Sequence, residues 1–122
     1  MATIDITAQN FEETIEKNDI VIVDFWAEWC GPCKSFSPIY EDVSEKNEGI
    51  VFGKIDTEAE QELAGHFQIR SIPTLMIFRE QVVLFSQPGM LNQEQLQEVI
   101  EKVKGIDMKK VHEEIASQDK SE

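Results

Sequence analysis

Residues 20–34 read Ile20-Val21-Ile22-Val23-Asp24-Phe25-Trp26-Ala27-Glu28-Trp29-Cys30-Gly31-Pro32-Cys33-Lys34, and this stretch decides the fold. Ile20–Ala27 is apolar, β-branched or aromatic at all but one position, which suits a strand buried on both faces. Pro32 lacks the N–H that a first helical turn leaves unpaired, so a helix opens directly behind the strand. Phe36, Ile39, Tyr40 and Val43 carry that helix at 3.6-residue spacing through 33–47. Pro38 lies inside the pattern and is predicted to kink the helix without abolishing it.

Working outward, Thr3–Ile6 is a short strand candidate, and Thr7 is predicted to cap a helix reaching about Asn18. On the other side, Ile50–Asp56 reads as a strand and Glu58–Phe67 as a short helix carrying Ala59, Leu63 and Phe67. Thr74–Phe78 and Val82–Phe85 form a predicted hairpin, and Asn92 with Gln95 resembles a capping box before Leu96, Val99, Ile100 and Val103. The order β-α-β-α-β-α-β-β-α implies an α/β fold, with right-handed parallel crossovers and a final antiparallel hairpin. The expected result is a central mixed β-sheet flanked by helices on both faces.

Gly105 fits the end of the last main helix. Residues 1–105 are therefore predicted to form one domain. Residues 106–122 are predicted to form an extension: a short amphipathic helix capped by Asp107, with Met108, Val111 and Ile115 on one side, then a polar, disordered tail from about Ser117.

A chain of 122 residues, 41% hydrophobic and 29% charged, has enough length for one real core without disulfide staples. The net charge of −13, concentrated in residues 1–100, argues against nucleic-acid or anionic-membrane binding through a basic patch. The first residues show no basic and apolar leader, and no apolar run approaches the roughly 20 residues that span a bilayer. The expected compartment is the cytoplasm, where the cysteines that persist tend to be catalytic or metal-binding.

There are two cysteines, in a C-x-x-C that ends a strand and opens a helix. Structural zinc would need about four ligands, and only His66 and His112, far apart in sequence, are left to supply the others. At the helix start, Cys30 faces unpaired backbone N–H groups and the positive end of the helix dipole. Both favour thiolate and raise its reactivity. Gly31 lets a substrate backbone approach. Cys33, one turn in, is expected to be the more buried of the two and able to reach the Cys30 sulfur. Asp24 is the sharpest secondary clue: a lone carboxylate in a buried run has its pKa raised towards the range useful for proton transfer.

The segment Ala27-Glu28-Trp29-Cys30-Gly31-Pro32-Cys33-Lys34, preceded by Val23-Asp24-Phe25-Trp26 and followed some forty residues later by Ile72-Pro73-Thr74, resembles the active site of the thioredoxin family. The resemblance covers about residues 3–104 and implies the thioredoxin fold, with a short extra C-terminal helix here. It also implies a protein disulfide reductase in which Cys30 attacks a substrate disulfide and Cys33 resolves the mixed disulfide. No metal or bound organic cofactor is implied. The oxidised pair would be recharged by a thioredoxin reductase drawing on NADPH, and a monomer is the family expectation.

By the same resemblance, Asp24 takes the proton from Cys33, Lys54 tunes Asp24, and Pro73 is cis and faces the cysteines. Ile72 is then free to pair with an extended substrate. Trp29, Gly31, Pro32, Ile72, Pro73, Gly89 and Met90 would form one small uncharged patch for disulfide-containing protein substrates, with Trp26 packed beneath the active-site loop.

Three departures stand out. Arg79-Glu80-Gln81 occupies a turn where the family commonly has Gly, Pro88 precedes Gly89, and the last fifteen or so residues have no counterpart in the shortest members. Two other functions compete. A disulfide oxidase or isomerase is disfavoured by the Gly-Pro dipeptide, since His at the second of those positions is typical of oxidising relatives. A binding or assembly module is disfavoured by the presence of both cysteines, Asp24 and Pro73.

Overall fold

The computed structural model describes residues 2–120. Five strands form one mixed sheet in the order β1-β3-β2-β4-β5. They are β1 (Thr3–Asp5), β2 (Ile20–Trp26), β3 (Val51–Asp56), β4 (Thr74–Arg79) and β5 (Val82–Pro88). The helices are α1 (Phe11–Lys17), α2 (Gly31–Glu45), α3 (Gln61–His66), α4 (Gln93–Lys104) and α5 (Met108–Lys120). β2 is central, parallel to β3 and antiparallel to β4.

The alternation of side chains along β2 sorts the core into two halves. Ile20 and Ile22 face one cluster with Phe36 and Tyr40 of α2 and Leu96, Ile100 and Val103 of α4. Val21, Val23 and Phe25 face the other, with Ile15 of α1, Ile55, and the half-buried Leu63 and Phe67. Asp24 shares the period of Ile20 and Ile22. Its carboxylate therefore extends the first face toward α2, the helix that begins at the cysteines.

Several expectations need correction. Thr7 does not cap α1: the chain makes a turn in which Asn10 and Phe11 donate to the Thr7 carbonyl, so the helix starts at Phe11. The Asn10 side chain reaches back to the Thr7 N–H at 2.8 Å. Helix α3 starts at Gln61 rather than Glu58, because the Asp56 carboxylate captures the N–H groups of Glu58 and Ala59 in a local turn. Helix α2 continues across Pro38. The capping box at Asn92 is present in both directions, at 2.8 and 3.0 Å.

Asp107 caps α5 by accepting from the N–H groups of Lys109 and Lys110. The helix then runs past Ser117, where the polar composition predicts disorder, and continues through Lys120. Once a turn is nucleated, each further residue adds a bond at lower entropic cost than the first, and this carries it on. The rest of the expected tail, 121–122, lies outside the described residues. The extension docks on the body through its first turns: Met108 is buried, Val111 is half-buried, and His112 Nε2 lies 2.9 Å from Glu80 Oε1.

The hairpin turn is tighter than expected. Arg79 pairs with Val82, leaving Glu80 and Gln81 as a two-residue loop, with φ of 49° and 70°. Positive φ at both central positions marks a type I′ turn, which favours Asn-Gly and strains residues that carry a Cβ. The turn is held in place by the Glu80 N–H, which donates to the Asp19 carbonyl at 2.8 Å. Gln81→Gly is therefore expected to raise the unfolding free energy by about 1 kcal/mol. The readout is a higher urea midpoint at unchanged m-value; a lower midpoint would mean that the Gln81 side chain contributes more than its backbone strain costs.

Candidate active site

Cys30 is the N-cap of α2, with extended backbone (φ −87°, ψ 110°), and its sulfur accepts from the Cys33 N–H at 3.1 Å. The two cysteines are joined as a disulfide, with Cα atoms 5.2 Å apart. No acid occupies the first turn of α2, so nothing there offsets the positive end of the helix. Cys33 is not distinctly the more buried: the residues are 4% and 3% exposed. Both sulfurs sit in one small cluster with Ala27, Trp26 and Ile72, which closes over Cys30 almost as fully as over Cys33.

The loop before β4 supplies the facing wall. The Ile72–Pro73 peptide bond is cis, and the Ile72 carbonyl oxygen lies 3.7 Å from the Cys30 sulfur. Gly89 donates its N–H to the Pro73 carbonyl at 2.8 Å and has φ of 97°, a conformation that favours glycine. Trp29, Gly31, Pro32, Gly89 and Met90 are exposed, Ile72 is half-buried and Pro73 is buried. With Ile72, Trp29 lines a groove of about 300 Å³ that also contains Thr57, Ile69, Arg70 and Ser71. The expected uncharged patch is thus bordered by charge, because Arg70 lies in this groove and the Trp29 indole N–H donates to Glu58 at 2.6 Å.

Asp24 is fully buried, and neither carboxylate oxygen has a hydrogen-bond partner within the protein. Burial pushes its pKa up from 3.8 to about 7, against the opposing pull of the Lys54 charge. Lys54 sits directly opposite Asp24 in the β2–β3 register. Its ammonium donates to Ser37 Oγ at 3.1 Å and lies 5.1 Å from the centre of the Trp26 ring. A cavity of about 120 Å³ is lined by Cys33, Ser37, Lys54 and Trp26 among others. Tyr40 lies deeper, its hydroxyl between the carbonyls of Ile22 and Gly53 at 3.0 and 2.8 Å. Burial, with the nearby Asp24 charge, holds its pKa well above the ordinary value.

A buried disulfide at a helix N-terminus and a cis-proline wall beside it form one arrangement. A family model described as Thioredoxin matches residues 2–102. The chain belongs to the thioredoxin family. Similar proteins include "Putative thioredoxin 2" of Streptomyces coelicolor, 52% identical over 117 residues, covering 96% of this chain and 87% of that one. "Thioredoxin" of Bacillus subtilis is 39% identical over 104 residues, covering 84% and 98%. "Thioredoxin" of Buchnera aphidicola subsp. Acyrthosiphon pisum is 39% identical over 100 residues, covering 80% and 93%. As a thioredoxin-family member with a bonded Cys30–Cys33 pair, the chain is a thiol–disulfide oxidoreductase.

Among the described residues, no group of three or more His, Cys, Asp or Glu is placed to hold a metal ion. No helix among them is long and apolar enough to cross a membrane. Three neighbours of the site went unnoticed in the sequence. Ser37 could have been found as the i+4 neighbour of Cys33 on α2. Glu58 and Arg70 carry no local signal, because the distant segments that contain them meet Trp29 only after folding.

Proposed function

We propose that the chain reduces protein disulfides in the cytoplasm through Cys30 as nucleophile and Cys33 as resolving thiol. The Cys30 thiolate attacks one sulfur of a substrate disulfide, forming a mixed disulfide and expelling one substrate thiolate, which takes a proton. The Cys33 thiol gives its proton to the Asp24 carboxylate and attacks the Cys30 sulfur. This expels the second substrate thiolate and leaves the bonded pair. Two electrons pass to the substrate, and a thioredoxin reductase drawing on NADPH returns them. Exchange of this kind requires no bound metal or organic cofactor.

The observation that carries the reading is the position of Cys30 at the α2 N-cap, its sulfur already accepting from a backbone N–H. That geometry favours the thiolate, which makes the dithiol easier to deprotonate and attack with. The groove between Trp29 and Ile72 is the proposed substrate seat, with Gly31, Pro32, Pro73, Gly89 and Met90 around it. Lys54 is proposed to modulate Asp24. The cytoplasm supplies the reducing poise that a dithiol reductant needs. We further propose a monomer with residues 1–105 as the catalytic domain and 106–122 as an extension, and no nucleic-acid or membrane partner.

The reduction potential tests this. Equilibration in dithiol–disulfide buffers, followed by fluorescence of Trp26 and Trp29, should give a value near about −270 mV. A value between about −180 and −120 mV would make the protein an isomerase or oxidant and remove the reductase reading.

A further inference from the structure

Residues paired across neighbouring strands point to the same face, with Cβ atoms about 5 Å apart. Lys54 opposite Asp24 is in that relation, and its default partner is the buried carboxylate, yet neither Asp24 oxygen receives a hydrogen bond. The ammonium is instead turned toward α2, where it donates to Ser37 Oγ and lies against the Trp26 ring. Ser37 follows Cys33 by one helical turn, and both line the same cavity with Lys54. The hydroxyl therefore joins the helix that carries the resolving cysteine to the strand that carries the lysine.

We propose that Ser37 is a positioning residue for the exchange reaction, tethering the Lys54 ammonium beside Cys33 and apart from a direct ion pair with Asp24. This rests on the reading in which Asp24 takes the Cys33 proton. An ammonium within about 4–6 Å of a carboxylate lowers its pKa by about 1–3. A weaker base takes the proton of Cys33 less readily. The tether preserves the basicity of Asp24 while keeping a positive charge near the sulfur that must become thiolate.

The other charges nearby do not substitute for the tether. Glu28 and Lys34 line the outer part of the cavity and are exposed to solvent, so their fields are screened. Asp5, Asp56 and Glu60 line a second cavity that Lys54 and Trp26 also border, and none of them hydrogen-bonds the ammonium, whose side-chain partner is Ser37. Tyr40, facing Asp24 from α2, stays neutral over the working range because its pKa is raised.

The test is Ser37→Ala beside Ser37→Thr, with the Asp24 carboxyl titrated by carbon NMR in the reduced protein. Single-turnover oxidation by saturating peptide disulfide is measured on the same proteins from pH 5 to 9. Ser37→Ala should lower the Asp24 midpoint by about one pH unit. Its rate above pH 8 should fall about three-fold, the response of a base with a Brønsted coefficient near 0.5. Ser37→Thr, which retains a hydroxyl, should keep both at the wild-type values, and Ser37→Ala added to Lys54→Met should change neither.

An unmoved midpoint in folded Ser37→Ala would overturn the tether. A moved midpoint with an unchanged rate would leave Ser37 with no part in the reaction. Asp24→Asn separates the two levels of the claim. If it leaves the rate unchanged, the base assignment itself fails; if it slows the rate while Ser37→Ala moves nothing, only the tether fails.

Discussion

Cys30→Ser should lower the reduction of a protein disulfide by about 10³-fold or more, while Cys33→Ser should stop the reaction halfway. A hydroxyl is not ionised at neutral pH and does not attack sulfur, so the first variant lacks a nucleophile. The second keeps the attacking thiol at the N-cap but cannot expel the second substrate thiolate. It should therefore accumulate mixed disulfides through Cys30, visible on non-reducing gels and as adduct masses. The nearly equal burial of the two cysteines makes this experiment necessary, because exposure alone does not rank them. The N-cap position of Cys30 does. Mixed disulfides forming through Cys33 in a Cys30→Ser protein, with none in Cys33→Ser, would reverse the assignment.

The second large effect concerns stability. The Asp24 pKa is about 7 in the folded protein, against a reference of 3.8. Between those values the native state holds a proton that the unfolded chain has released, so this group makes stability fall as pH rises through that window. Above about pH 7 both states are ionised and the loss is complete. A rise of that size in one carboxyl group corresponds to about 4 kcal/mol.

Asp24→Asn removes the titration while keeping the shape. The variant should match wild type near pH 4 and exceed it by about 4 kcal/mol at pH 8, measured as urea unfolding across the range. At pH 8 the same variant should resolve mixed disulfides at least about ten-fold more slowly, because it lacks the proposed base. Parallel stability curves for the two proteins would show that Asp24 is solvated and ionised at ordinary pH, which would also deprive it of a role as a tuned base.

The combination would be informative about the fold as well as the chemistry. A carboxylate placed on the apolar period of the central strand opposes folding at working pH. Lys54, directly opposite Asp24 in the sheet, lines one cavity with Ser37 and Cys33, so the cost to stability and the chemistry meet at the same lysine.

Much of this was legible in the linear chain. The apolar run Ile20–Ala27, the helical period from Phe36 to Val43 and the Asn92–Gln95 box are local signals, and local physics reads them without knowing the fold. Cys30 and Cys33 belong with them, because three residues across a strand-to-helix junction determine both their separation and their electrostatics. Asp24 was conspicuous as the one charge in an apolar run. The edges of elements are less legible. At Thr7 and Glu58 a competing side-chain or turn hydrogen bond displaced the helix start, and those alternatives differ by about one hydrogen bond.

The tertiary structure alone decided where the ammonium of Lys54 goes, what borders the Trp29 groove, and how closed Cys30 is. The Lys54 tether joins β3 to α2, and the Trp29–Glu58 bond spans 29 residues. The wall over Cys30 comes from Ile72, 42 residues away. Periodicity and capping report which face a residue occupies in its own element. They carry no information about which residue of another element meets that face, because that is set by sheet order, register and helix packing, and these exist only once the chain has folded.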